Sequence, residues 1–109
     1  MKTTTDEMKK LLLKVQQLQR KYCDYLSIDI CTITDNASIS SIAYISTNIT
    51  TYNYMKSSIK YLKYVPMYII DSYETNLNRL KEIKDYVKFE ADRIKELQRN
   101  HSFTGEGVK

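Results

Sequence analysis

Glycine is almost absent from this chain. Its two glycines, Gly105 and Gly107, both lie among the last five residues. Loops that cradle a phosphate bring backbone amides close to the ligand at positive φ, where a Cβ atom would clash. The sequence therefore excludes P-loop, dinucleotide-fingerprint and nucleophile-elbow motifs over residues 1–104. Most nucleotide-dependent enzymes are excluded with them.

Histidine and cysteine are also scarce. The single histidine, His101, is close to the C-terminus, and Cys23 and Cys31 are eight positions apart with no CxxC motif. These residues supply neither a zinc ligand set nor a nucleophile beside a base. Asp29 is the one carboxylate to which the pattern gives no structural role, and a single carboxylate does not make a catalytic pair. We therefore expect a protein that is not an enzyme and binds no cofactor or metal.

The sequence contains neither an export signal nor an apolar membrane span. Its N-terminus lacks the charged and then apolar leader of a signal peptide, and the two thiols have no disulfide pattern. Residues 36–55 carry no charge, but half of them are Ser, Thr or Asn. Those polar groups would lack partners in hydrocarbon. We expect a reduced, intracellular, cytoplasmic protein without membrane contact.

What is present is typical of one small globular domain. The 109 residues match a common domain size, and 42% of them are apolar and 28% charged. The 17 Lys and Arg residues against 13 Asp and Glu give a net charge of +4. This mild basicity permits an acidic partner without requiring one. We predict a single α+β domain over residues 1–100 and a flexible tail over residues 101–109.

Two amphipathic helices are predicted, one towards each end. Thr4 and Glu7 have the spacing of a capping box, which predicts a first helix over residues 5–23. Asp71 and Glu74 have the same spacing and predict the start of a long C-terminal helix of about 28 residues. Opposite charges three residues apart are expected on its solvated face. Those pairs are Asp85–Lys88, Glu90–Arg93, Asp92–Lys95 and Glu96–Arg99.

An antiparallel β-hairpin is predicted between the helices. Residues 25–46 are rich in Ile, Thr, Ser and Tyr, and Asp35 and Asn36 in the middle tolerate tight-turn backbone angles. A two-residue loop at these positions separates an apolar face from a mixed face that includes Ile33 and Tyr44. The pairs predicted on the apolar face are Thr32–Ile39, Ile30–Ser41, Ile28–Ala43 and Leu26–Ile45.

Residues 49–70 are compatible with two structures. Tyr52, Met55 and Ile59 recur at helical spacing, which favours a short helix over residues 51–64 that ends before Pro66. The Thr, Tyr and Ile content of the same segment is typical of a third strand. A third strand would also strengthen the hairpin, since a two-stranded sheet alone is marginally stable.

With a third strand, the order of elements is helix, three strands, helix. This order resembles that of double-stranded-RNA-binding domains, although no motif of particular residues accompanies it. Those domains use a basic start of the second helix to contact RNA. In this chain Asp71 and Glu74 lie at that point. The resemblance therefore implies an arrangement of elements and not RNA binding.

Tyrosine is the residue type in which this chain is unusually rich. There are ten tyrosines, and seven lie between residues 44 and 73, interleaved with lysines. Tyrosine is enriched in protein interfaces, and beside lysines it can also stack on nucleic-acid bases. The interaction residues predicted in this segment are Tyr52, Tyr54, Lys56, Lys60, Tyr61, Lys63, Tyr64 and Tyr68.

The apolar stripe of the long helix is the second predicted interaction surface. A helix of about 28 residues is about 42 Å long, more than a compact domain of this size covers. We predict a non-catalytic protein that binds another protein or forms a homo-oligomer, such as a phage or mobile-element accessory factor or a virion component. Nucleic-acid binding through residues 52–68 is the alternative. The helix residues of the predicted surface are Leu80, Val87, Ile94 and Leu97.

Overall fold

The computed structural model of the chain has a helix at each end and three strands between them. It describes the backbone of residues 1–35, 38–53 and 58–108, and the side chains of residues 1–34, 42–51 and 62–99. The predicted α+β class is confirmed, with an antiparallel hairpin and a long C-terminal helix packed on the sheet. The elements are α1 (Thr5–Lys21), β1 (Leu26–Asp35), β2 (Ser38–Asn53), β3 (Ser58–Tyr68) and α2 (Tyr73–Val108).

Helix α1 begins where its capping box predicts. The Thr4 hydroxyl accepts a hydrogen bond from the Glu7 amide at 3.1 Å, and the Glu7 carboxylate accepts one from the Thr4 amide at 2.9 Å. The box satisfies amides that have no partner inside the helix. Met8, Leu11 and Val15 are buried, as the predicted apolar stripe requires.

The three strands form one antiparallel sheet in the order β1-β2-β3. Side chains alternate along each strand, so the sheet has two faces, and both helices pack on one of them. We call this the covered face and the other the open face. The core between sheet and helices contains Met8, Leu11, Val15, Leu26, Ile28, Ile45, Ile49, Val65, Met67, Leu80, Ile83 and Val87.

The predicted hairpin forms, but its predicted register is wrong by six residues. Thr32 lies opposite Ile45 rather than Ile39. Asp35 pairs with Ser38, which displaces the register by two residues at the loop. The other four residues of the displacement arise at the irregular pairs next to the loop, where β2 contributes extra residues. Because the displacement is even, the apolar residues of β1 remain on the covered face, as predicted.

Residues 51–53 and 58–64 are in strands, so they do not form the helix that the spacing of residues 51–64 favours. Strand β2 continues to Asn53 and β3 begins at Ser58, so the third strand is the correct alternative. Pairing with β2 supplies tertiary contacts that outweigh the local helical spacing. Pro66 lies within β3 and does not terminate a helix. It is tolerated there because β3 is at the edge of the sheet, where an amide hydrogen is not required.

The start of α2 differs from the prediction by one residue. Ser72 caps the helix, since its Oγ accepts a hydrogen bond from the Thr75 amide at 3.1 Å. Asp71, the predicted cap, instead forms an ion pair with Arg79 at 2.6 Å. The helix continues to Val108. The division into a domain over residues 1–100 and a flexible tail over residues 101–109 stays a prediction.

The described side chains of α2 form four ion pairs within the helix, of which three are exposed and one, Glu90–Arg93, is largely buried. Two are the predicted pairs three residues apart, and the other two acids pair with the lysine four residues before them. The hydrogen bond to Asp92 and its negative charge raise the pKa of Lys88 above the ordinary lysine value. The four pairs are Lys81–Asp85, Lys88–Asp92, Glu90–Arg93 and Glu96–Arg99.

A buried polar network ties the N-terminal residues to the start of α2. Thr3 and Asn76 are both fully buried. The Thr3 amide donates to the carbonyls of Ile69 at 3.0 Å and Asp71 at 2.8 Å. The Asn76 amide group donates to the Thr3 hydroxyl and to the Tyr68 carbonyl, both at 2.8 Å. The first residues of the chain, the end of β3 and the start of α2 therefore meet at one end of the sheet.

Candidate interaction surface

The open face of the sheet carries large apolar and aromatic side chains. Ile33 of β1 is 55% exposed, and Leu62 and Tyr64 of β3 are 70% and 49% exposed. They point away from the helices because each lies an odd number of positions from the core residues of its own strand. Tyr44 and Tyr68 lie on the same face. We call these five residues the open-face surface.

Three tyrosines of this surface contact one another. Tyr44 and Tyr68 are paired across β2 and β3, and their ring centroids are 4.9 Å apart with the planes tilted by 33°. The hydroxyls of Tyr44 and Tyr64 form a hydrogen bond. The guanidinium of Arg79 lies 5.7 Å from the Tyr68 centroid, within cation–π range. These contacts restrict the ring orientations, which lowers the entropy lost when a partner packs on them.

The described part of the open face is nearly uncharged. Among its described strand residues, Asp29 is the one ionisable acid and there is no lysine or arginine. Lys63 lies on the covered face, where it pairs with Glu82 at 2.7 Å and lies 5.7 Å from the Tyr86 centroid. Lys63 and Tyr64, neighbours in the predicted patch, thus point to opposite sides of the sheet.

The other residues of the predicted surfaces fall into two groups. Leu80, Val87 and Ile94 are 4%, 0% and 0% exposed, so they belong to the interior of the chain in this fold. Leu97 is half-buried. The remaining predicted residues lie outside the described side chains, namely Tyr52, Tyr54, Lys56, Lys60 and Tyr61.

Three residues of the open-face surface, Ile33, Tyr44 and Leu62, were not among the predicted interaction residues, and Tyr44 was expected on the same face of the hairpin as Ile33. Ile33 was expected on the mixed face of the hairpin, but nothing in the local pattern distinguishes an exposed isoleucine from one that is covered. Leu62 was missed because residues 51–64 fit a helix. The strand period alone would have placed Leu62 and Tyr64 on one face.

The described residues contain no cluster suited to metal chemistry. No three His, Cys, Asp or Glu side chains among them are close enough to hold a metal ion. Cys23 and Cys31 are exposed and form no disulfide. In the same part of the chain, no helix combines the length and apolarity needed to cross a membrane.

No protein family, curated protein or solved structure matches this chain. Its elements follow the order helix, three strands, helix. The first turn of α2 carries Glu74 and no basic residue.

Proposed function

We propose that this chain is a small non-catalytic protein that forms a homo-oligomer through the open face of its sheet. The observation that supports the proposal is the joint exposure of Ile33, Leu62 and Tyr64 on one nearly uncharged surface. An antiparallel sheet commonly leaves one face to solvent, and that face is then polar. Aliphatic and aromatic side chains at these positions favour a partner over water.

The charge distribution favours a protein partner over nucleic acid. Binding of single strands combines aromatic stacking with cations that track the phosphates. Asp29 is the one charged residue of the open face within the described side chains of the strands, and Lys63 is engaged by Glu82 on the opposite face. Arg79, which lies against Tyr68, is paired with Asp71. Among the described side chains, no unpaired cation therefore lies on the open face to meet the phosphates of bases stacked on Tyr64.

A second copy of the chain suits this surface better than a charged partner. Two identical faces related by a two-fold axis bring each side chain against the same surface of the other copy. A surface rich in like charges would oppose this arrangement, whereas the open-face surface has none. Face-to-face packing of two sheets is also a common way for sheets to bury apolar side chains.

The size of the face indicates a weak association. Three strands spaced 4.8 Å apart and paired over eight residues give a face of roughly 14 Å by 26 Å, or about 370 Å². A stable complex buries about 800 Å² on each partner. We therefore expect a dimer that dissociates in the micromolar range or more weakly.

Sedimentation velocity over a concentration series tests the proposal. The weight-average mass of the wild-type protein should rise towards that of a dimer, and Leu62→Asp should keep the protein monomeric. Phe89→Asp is the matched control, because Phe89 is 65% exposed on α2, away from the open face. A reductant in all samples prevents crosslinks through the exposed Cys31.

Two results would contradict the proposal. One is a wild-type protein that stays monomeric at millimolar concentration. The other is a dimer that persists in Leu62→Asp but is lost in Phe89→Asp. Labelled single-stranded and duplex probes are added to a parallel series, and a monomer that binds them with strong salt dependence would favour nucleic-acid binding instead.

A further inference from the structure

A groove between α1 and α2 lies on the helical layer, remote from the open face. Its cavity volume is about 280 Å³. Leu11 and Leu80, which belong to the core, are at its base, and the exposed Leu13 and Leu77 lie along its walls. Leu13 is 55% exposed and Leu77 is 40% exposed. An apolar channel between two helices is therefore open to solvent.

Lysines alone supply the charge around this groove. Its lining includes Lys10, Lys14 and Lys84 and no acidic residue. None of the three forms an ion pair with another residue in the described part of the chain. Elsewhere on α2, in contrast, Lys81 and Lys88 are paired with acids of the same helix. The groove thus combines an apolar interior with three lysines that form no ion pair within the described part of the chain.

We propose that this groove binds an acidic amphipathic helix of a partner protein. Apolar side chains at helical spacing would fill the channel between α1 and α2, and flanking glutamates or aspartates would pair with Lys10, Lys14 and Lys84. A second copy of this chain is excluded in a two-fold arrangement, because the same three lysines would face one another. The proposal is independent of the proposed function, which uses the opposite side of the sheet.

The dimensions of the groove favour a peptide over an enclosed small molecule. Sites for small ligands usually have volumes of about 300–1,000 Å³ and bury most of the ligand. This groove is at the lower limit of that range and is open along one side. It has room for one or two large apolar side chains of a segment that remains otherwise exposed, as in helix-in-groove recognition.

Fluorescence anisotropy with two designed peptides tests the proposal. Both carry leucines at i, i+3, i+4 and i+7, and the flanking residues are glutamates in one peptide and lysines in the other. The glutamate peptide should bind at low salt and the lysine peptide should not. The double variant Lys10→Glu/Lys14→Glu should weaken binding of the glutamate peptide about tenfold. Lys2→Glu/Lys9→Glu changes the net charge equally outside the groove and should weaken it about twofold or less.

A second pair of variants examines the apolar component. Leu13→Ser should weaken binding of the glutamate peptide about fivefold, since it removes part of the channel wall. Phe89→Ser, which replaces another exposed apolar residue of the helical layer, should leave it unchanged. Circular dichroism of each variant confirms that the fold is retained.

Three outcomes would overturn the proposal. They are equal binding of the two peptides, equal weakening by the two double variants, and no binding of the glutamate peptide. Vesicles of anionic lipid are tested in parallel. Vesicle binding that Lys10→Glu/Lys14→Glu abolishes, without peptide binding, would assign the groove to a membrane surface and reject the protein partner.

Discussion

Threonine hydroxyls are buried at several positions of this fold, with different surroundings. The Thr3 hydroxyl donates to the Asp71 carbonyl at 2.7 Å and accepts from Asn76 at 2.8 Å. The hydroxyls of Thr47 and Thr51, on the covered face of β2, have no hydrogen-bond partner within the described residues. A buried polar group without a partner costs about 1–3 kcal/mol. The same substitution should therefore have opposite effects at Thr3 and Thr47.

Replacing these threonines with valine tests this expectation. Thr47→Val should raise the free energy of unfolding by about 1 kcal/mol, because a methyl group replaces a hydroxyl that has lost its water. Thr3→Val should lower it by about 2 kcal/mol, because it leaves the Asn76 donor without its acceptor. Urea denaturation of both variants measures the difference. A loss of stability in Thr47→Val would indicate that its hydroxyl has a partner after all.

Two arginine–glutamate pairs of α2 have the same spacing but different burial. The Glu90 side chain is 5% exposed and accepts hydrogen bonds from Arg93 at 2.9 and 2.6 Å. In the other pair, Glu96 and Arg99 are 57% and 73% exposed. Removal of one member of a buried pair leaves an uncompensated charge, whereas an exposed pair contributes little.

We expect Arg93→Gln to lower the free energy of unfolding by about 2 kcal/mol. Arg99→Gln should change it by about 0.5 kcal/mol or less, because water solvates the Glu96 carboxylate in either case. Chemical denaturation of the two variants at neutral pH provides the comparison. Equal changes in the free energy of unfolding of the two variants would show that burial of Glu90 does not determine how much Arg93 stabilises the fold.

At the scale of the elements, the two helix starts differ in how far the sequence predicts them. The capping box of α1 is entirely local, and Thr4 and Glu7 occupy the predicted positions. At α2 the same spacing points to Asp71 as the cap. The Asp71 carboxylate instead forms an ion pair with Arg79, and Ser72 caps the helix. Local spacing identifies a helix start to within a residue, and tertiary contacts decide which side chain performs the capping.

The Ser72 cap can be tested directly. Ser72→Ala should lower the free energy of unfolding by about 1 kcal/mol, since it removes the acceptor for the Thr75 amide. Ser27→Ala replaces an exposed serine of β1 and should change stability by about 0.5 kcal/mol or less. Thermal or urea unfolding followed by circular dichroism distinguishes the two. If Ser72→Ala leaves the free energy of unfolding unchanged, Asp71 rather than Ser72 caps the helix.

The strands show which part of a sheet the sequence encodes. Alternation of apolar and polar residues predicts correctly that Leu26 and Ile28 lie on the covered face. It does not encode the irregular pairing near the loop, which displaces the register without changing the faces. For the same reason the open-face surface could be predicted only in part. Leu62 belongs to it only if residues 58–68 are a strand, and that depends on pairing with β2.

At the scale of the whole molecule, the elongated shape of the chain explains how the buried residues of the apolar stripe of α2 are covered although the helix is long. A compact domain would leave part of this helix uncovered, but the chain extends over 62 Å in one direction and over 23 and 19 Å in the other two. The helix lies along a sheet whose central strand is 16 residues long. Residues as far along α2 as Ile94 are therefore buried by the chain itself. The open face carries further uncovered apolar side chains, among them Ile33 and Leu62.

This arrangement leads to a prediction for the C-terminal boundary. Among the described side chains, Ile94 is the last one on α2 that is fully buried. A chain that ends after residue 100 should therefore keep its thermal midpoint within about 2 °C of the full-length value. A chain that ends after residue 86 loses Val87, Ala91 and Ile94 from the interior and should not fold cooperatively. Differential scanning calorimetry compares the three lengths. If removal of residues 101–109 lowers the midpoint by about 10 °C or more, the last turns of α2 contribute to the fold, and the boundary predicted at residue 100 is wrong.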